Sequence, residues 1–216
     1  MTWSVRLLPL GDRAQLIEID GGSREVLAVH RALDRDRQIG VVDLVPAART
    51  VLVTFDPSVL SPAAVAGWIS DVTSAEHPGR EDEDERGAPP IQVPVRYDGD
   101  DLAEVATLTG LSPVEVIEAH TATPWTVAFT GFAPGFAYLI GGDPRLQVPR
   151  RATPRAVVPA GAVGLAGPYS GVYPRSSPGG WQVIGHTEAT IWDVHADPPA
   201  LLRPGARVQF VPDGAR

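Results

Sequence analysis

The sequence predicts an α+β protein in two parts, a small helix-on-sheet N-terminal domain over residues 1–75 and a β-barrel domain over residues 91–216. Three observations carry this. The N-terminal third reads strand–strand–helix–strand–strand–helix. An acidic, Pro/Gly-rich stretch at 76–90 then breaks the pattern. Beyond Trp125, short β-branched runs alternate with Gly and Pro, as in a closed or partly closed barrel.

In the first part, residues 5–8 and 15–19 are expected strands around a Gly11-Asp12 turn. Ser23 is placed to cap a helix whose Val26, Val29, His30 and Leu33 share one face. Residues 41–45 and 50–55 are β-branched, with Val51, Val53 and Phe55 alternating. Ser61-Pro62 opens a second helix carrying Val65, Trp68, Ile69 and Val72. The run Glu81-Asp82-Glu83-Asp84-Glu85 between Pro78 and Pro89-Pro90 repels itself and has nothing apolar to bury, which makes it a linker. The second part opens on a strand at 91–97. Helices near 101–109 and 113–120 follow, the latter with the capping box Ser112/Glu115. Later strands are expected at 126–130, 182–184, 190–194 and 208–211.

Composition excludes several chemistries. The chain has 18 basic and 26 acidic residues and a net charge of −8, which disfavours nucleic acid as a partner. No apolar run approaches the roughly 18–20 residues that span a bilayer. The N-terminal residues lack a basic segment followed by an apolar core, so a cytoplasmic location without membrane contact is expected. There is no Cys, hence no disulfide or thiolate. Every basic residue is Arg, which removes a P-loop ammonium, a Schiff base and a Ser-Lys pair. None of the five histidines stands in a tight ligand pair, so no metal is expected.

Three segments carry residues suited to chemistry. GFAPGFAYL at 131–139 combines flexible Gly131 and Gly135 with aromatic Phe132, Phe136 and Tyr138 around Pro134. It reads either as a turn with core aromatics or as the wall of a site. At 148–167, Arg150, Arg151 and Arg155 precede Gly161, Gly164 and Gly167. Arg forks take carboxylate or phosphate, and glycine N–H groups can cradle an anion. Exposed arginines would look the same in sequence, and neither G-x-G-x-x-G nor a Walker pattern is present. At 170–187, Ser176 and Ser177 precede Pro178-Gly179-Gly180, a hydroxyl-lined loop, and His120 or His186 is the available base if the fold brings one near.

These segments, in this order, resemble the PxpB/KipI family, the B-type components of 5-oxoprolinase (older label allophanate hydrolase subunit 1). The resemblance rests on GFAPGFAYL, PRRATPR, VPAG and YPRSSPGGWQVIGHT, with Asp101-Leu102, Gly110-Leu111-Ser112 and His120. The N-terminal half agrees in pattern only, through Gly11-Asp12. The resemblance implies a cyclophilin-like β-barrel for residues 91–216. It implies work beside a homologous PxpC-like subunit and a PxpA-like subunit, with ATP used in the complex to cleave 5-oxoproline to glutamate. It also offers alternatives: a KipI-type inhibitor of a sensor histidine kinase, or a relative of allophanate hydrolase and urea carboxylase acting on a urea-derived substrate. The substrate or anion site it implies is His120, Phe132, Pro134, Arg150, Arg151, Arg155, Gly161, Ser176, Ser177, Gly180 and His186, with no nucleophile. Pro168-Tyr169-Ser170 and His186 depart from frequent family residues, as does Ala162. From the stiff Thr153-Pro154-Arg155 step, Arg155 in particular is expected to face a cleft and hold an anionic ligand group.

Overall fold

The computed structural model describes residues 3–75 and 89–214. Most of the linker expected at 76–90 therefore lies outside the described residues. The chain divides into two compact units, Met1–Arg86 and Gly87–Arg216.

The first unit follows the expected order: β1 (Val5–Pro9), β2 (Ala14–Ile19), α1 (Ser23–Arg35), β3 (Val41–Pro46), β4 (Thr50–Phe55) and α2 (Pro62–Ser74). The strands form an antiparallel sheet in the order β1-β2-β4-β3. Alternation puts Ile17, Ile19, Val51, Val53 and Phe55 on one face, against Val26, Val29 and Leu33 of α1 and Val65, Ile69 and Val72 of α2. Ser61 caps α2 as expected, its hydroxyl accepting from Ala64 N at 3.2 Å. Ser23 does not cap α1. Gly22 holds that position, and the Ser23 hydroxyl donates to Ala48 O at 3.2 Å.

The second unit contains β5 (Ile91–Val95), α3 (Leu102–Thr109), α4 (Pro113–Thr121), β6 (Trp125–Thr130), β7 (Ala137–Ile140), β8 (Arg155–Val158), β9 (Ala162–Ala166), β10 (Tyr169–Val172), β11 (Ser177–Gly179), β12 (Gln182–His186) and β13 (Arg207–Pro212). The fold class is α+β, as the sequence predicts. Seven strands form one sheet in the order β12-β9-β10-β7-β6-β13-β5, and only β13–β5 is parallel. The two edge strands then meet. Arg96 N donates to His186 O at 2.8 Å and His186 N returns a bond to Arg96 O at 2.9 Å. Gly99 N and Asp101 N continue the seam to Ile184 O and Val183 O. The sheet is thus a nearly closed barrel, with few backbone groups left unpaired at its edges. Gly99 and Gly185 permit the approach, since a Cβ on either would collide with backbone across the seam.

Val93, Val127, Leu139, Leu165, Ile184, Val208 and Phe210 fill the interior, and α3 and α4 add Val105 and Val116. The capping box on α4 is present, with Ser112 Oγ accepting from Glu115 N and Ser112 N donating to the Glu115 carboxylate. β8 and β11 make a separate two-stranded ribbon. The strand expected at 190–194 is not one. Its sole ladder contact is the bridge between Trp192 and Ala200, because Pro198-Pro199 opposite supplies no N–H donors.

Candidate functional site

The start of α3 places Asp101 beside β12, and the carboxylate gathers the second and third segments around it. Asp101 is 2% exposed. Its Oδ2 accepts from Arg155 Nη1 at 2.8 Å and from Val183 N at 2.7 Å, and its Oδ1 accepts from Arg155 Nη2 at 2.8 Å and from Arg151 Nη1. Burial alone would raise its pKa. The Arg155 hydrogen bonds, the Val183 N–H and the two positive charges outweigh that and hold the carboxyl below the usual carboxylate range. Arg151 N donates to Gly180 O at 2.8 Å, and the β8–β11 ribbon pairs Arg155 with Gly179 and Val158 with Ser177. Arg151, Arg155, Ser177 and Gly180 therefore share one neighbourhood. The geometry alters the role expected of Arg155. The edge of its guanidinium that would grip a ligand already grips Asp101.

The glycines give a second difference. Gly161 lies at φ 79°, and a Cβ there would strike Thr187 O, so this position requires glycine. Yet its N–H donates to Tyr173 O at 2.8 Å, and Gly167 N donates to Val148 O at 2.7 Å. These donors serve close backbone packing and are not turned to an anion.

An aromatic wall adjoins the arginines. Phe136, Tyr173 and Trp181 cluster with Val158, Ala162 and Ala166. Phe136 meets Tyr173 edge-on at 5.2 Å and Trp181 at 5.3 Å. Tyr138 stacks on Phe129 at 4.4 Å. The turn before β7 adds Phe132, which is 60% exposed and sits at φ 68°, a left-handed conformation disfavoured for a bulky residue. Phe132 touches Phe136 at 5.4 Å and Tyr173 at 6.4 Å. Phe132, Pro134 and Gly135 line a recess of about 390 Å³ with Trp192 and Ala200. Arg150 is exposed, and its charge bears on both Tyr138 and Tyr173. Ser176 is exposed in the loop before β11.

The two candidate histidines lie elsewhere. His120 is 0% exposed inside the barrel, stacked on Phe210 at 4.3 Å, so it lines no open cleft in this structure. Its Nδ1 meets Tyr97 Oη and its Nε2 meets Ser170 Oγ, both at 2.8 Å. Burial lowers its pKa to about 3, so it is a neutral link in a polar chain within the core. His186 sits on the seam, with Nδ1 2.8 Å from Asp98 Oδ1 and Nε2 against Arg96 Nη2. It borders a separate recess of about 330 Å³ with Thr187, Glu188 and Asp213. Neither histidine is hydrogen-bonded to Ser176 or Ser177; the Ser177 hydroxyl instead donates to Arg175 O at 3.1 Å. Among the described residues no three His, Asp or Glu side chains converge as metal ligands. No helix among them is long and apolar enough to cross a membrane.

The family model described as carboxyltransferase domain, subdomain C and D, matches residues 5–202. The chain belongs to this family. Its similarity to the B-type subunit of 5-oxoprolinase from Bacillus subtilis is 36% identity over 98% of this chain and 94% of that protein. With the corresponding 5-oxoprolinase subunit of Escherichia coli O157:H7 it shares 52% identity over 56% of this chain and 57% of that one, so the match spans little more than half of that relative. These relatives bear out the PxpB resemblance. Among solved structures, TTHA0988 superposes with a TM-score of 0.76 at 35% identity, covering 94% of this chain and 40% of that one.

For this carboxyltransferase-family chain, sequence reasoning missed Asp101 as the centre of the arginine cluster. An Asp at a helix start reads as an N-cap, but Asp101 makes no side-chain cap bond to α3. It also missed Tyr173 and Trp181 as partners of the GFAPG turn. The available signal was chemical: two arginines crossing onto one barrel end require an acid, and Asp101 is the acid of the matched Asp101-Leu102 step.

Proposed function

We propose that this chain is one subunit of an ATP-dependent amidohydrolase complex that opens 5-oxoproline to glutamate, and that it supplies binding groups, not the nucleophile. The observation that carries this reading is the similarity, along nearly the whole of both chains, to a protein named as a 5-oxoprolinase subunit. The chemistry agrees with a shared active site. A lactam is a poor electrophile, so its cleavage calls for activation by ATP and for fixed donors where negative charge develops. This chain brings Arg151 and Arg155 together at one barrel end, with half-buried Tyr138 and exposed Phe132 packed on Phe136 of the adjoining aromatic cluster. The serine–histidine pair Ser170–His120 is sealed in the core, and among the described residues neither Ser176 nor Ser177 is hydrogen-bonded to a histidine or a carboxylate. The missing groups are then the partners' contribution, from a homologous PxpC-like subunit and a PxpA-like subunit. The chain alone is expected to turn over neither ATP nor 5-oxoproline, and co-purified with both partners it is expected to release glutamate in step with ATP hydrolysis. Lactam cleavage by the isolated chain, or none by the assembled complex, overturns the reading.

A further inference from the structure

The turn between β6 and β7 carries backbone strain at a bulky residue. Ala133 N donates to Gly131 O at 2.8 Å across Phe132, whose φ is 68°. This is the γ-turn with a positive central φ, which is rare and strained. Phe136 N then donates to Ala133 O at 2.9 Å, with Pro134 and Gly135 (φ 82°) in the middle of a type II turn. Glycine at 132 would relieve the strain, since it adopts such a φ freely. The position instead holds a phenyl ring that is 60% exposed, so packing does not account for it. The ring lines a recess of about 390 Å³ together with Trp192, itself 36% exposed. Trp192 is set close against the turn: a Cβ on Gly135 would stand 2.6 Å from Trp192 Cβ and 3.3 Å from its Cε3. Among the described residues no ring contact joins Phe132 to Trp192, so neither ring covers the other. Strain kept at an exposed aromatic on the border of a cavity points to a ligand contact.

We propose that the recess lined by Phe132 and Trp192 binds a flat, uncharged heteroaromatic ring, and that in the complex this ring is the adenine of ATP. The assignment deepens the proposed ATP-dependent reaction and rests on it only for the identity of the nucleotide. Exposed aromatic side chains stack on a base because every base has a π-face. None of the described residues lining the recess is charged. 5-Oxoproline carries its carboxylate directly on the lactam ring and would bring that charge in without a partner. ATP carries its charge beyond the ribose, away from the base. The hydroxyl of Thr130 and the indole N–H of Trp192, two lining residues, make no hydrogen bond among the described residues. They are free for the ring nitrogens and amino group at the edge of adenine. The volume also falls in the range of roughly 300–1,000 Å³ usual for small-molecule sites.

Calorimetry on the full chain and on the assembled complex would use four probes: ATP, adenosine, inorganic triphosphate and 5-oxoproline. Adenosine keeps the base and is expected to bind and to compete with ATP, whereas triphosphate is expected not to displace adenosine. Phe132→Gly removes the ring and suits the backbone. It is expected to keep or raise the urea midpoint while weakening adenosine binding about five- to a hundred-fold, the effect of one lost base–aromatic stack. Trp192→Ala is expected to weaken it on the same scale, and Trp192→Phe to restore part of it. Arg24→Ala, on α1 of the first unit, is expected to change nothing. In the complex, Phe132→Gly is expected to raise KM for ATP and leave KM for 5-oxoproline unchanged. A rise in KM for 5-oxoproline alone assigns the recess to the lactam and overturns the proposal. So does adenosine binding that is indifferent to both ring deletions, or no binding of adenosine or ATP by either form. A lowered midpoint in Phe132→Gly with binding unchanged makes the ring a packing element and also overturns it. Adenosine binding that depends on Phe132 in a complex that does not cleave 5-oxoproline keeps the base site and removes the proposed reaction.

Discussion

Asp101 accepts hydrogen bonds from both η nitrogens of Arg155, from Arg151 and from Val183 N, and this saturates its two oxygens. The arrangement makes Arg155 a support for the barrel end, whereas Arg150 is exposed. Removing one member of such a buried pair strands the other, at a cost of about 3 kcal/mol. Asp101→Asn and Arg155→Ala are therefore expected to lower the urea midpoint of the second unit, with Arg155→Lys intermediate because it keeps charge but loses the two-pronged geometry. The carboxyl is held below its unfolded value, so its stabilisation is present above that value and is lost as pH falls through the folded one. Wild type and Asp101→Asn should converge in stability in acid; a gap that persists there counts against this account. The sequence displayed the arginines and the stiff approach through Pro154. Their acid stands 50 and 54 positions away in sequence, and no local pattern records that distance.

At the scale of elements, the seam between β5 and β12 depends on two glycines. A methyl group at Gly185 would meet Arg96 O and the Val95 side chain. Gly185→Ala is expected to destabilise the barrel by about 1–3 kcal/mol, as overpacking does. Gly67, exposed inside α2 with open space where a Cβ would stand, offers the opposite case, and Gly67→Ala is expected to stabilise the first unit by roughly 0.5–1 kcal/mol. Denaturant midpoints of the two variants should move in opposite directions; a shared direction would show that the seam tolerates a side chain. Legibility differed along the same line. Helices α2 and α4 were readable because Ser61-Pro62 and the Ser112/Glu115 box mark their starts. Strands β7, β9 and β10 were hidden, since Gly164, Gly171 and the Gly135 turn look like loop material. They are strand residues because neighbouring chains approach closely there: Trp181 packs over Gly164 and Ala137 O lies near Gly171.

On the scale of the whole molecule, the strand–strand–helix repeat of the first unit was legible, because alternation on β2 and β4 and the spacing of apolar residues on α1 and α2 describe one shared core. The barrel was legible as a class but not in strand order, which depends on pairings far apart in sequence. Each unit has its own core, and neither core cluster includes residues of the other. Residues 3–75 and 89–214 expressed separately are thus each expected to unfold in a single cooperative transition, followed by circular dichroism. A fragment that stays unfolded alone would show that the two units depend on one another.

The position of β13, between β6 and β5, sets an order of events during synthesis. Residues 91–186 can emerge and collapse around α3 and α4, yet β5 and β6 have no shared neighbour until residues 207–212 arrive. The four strands and two helices described for the first unit are under no such delay, since the last of them ends at Ser74. On the ribosome, one half of this chain is free to fold early, while the barrel waits with two strand edges uncovered. That interval is when the nascent chain is most exposed to wrong partners and to chaperones.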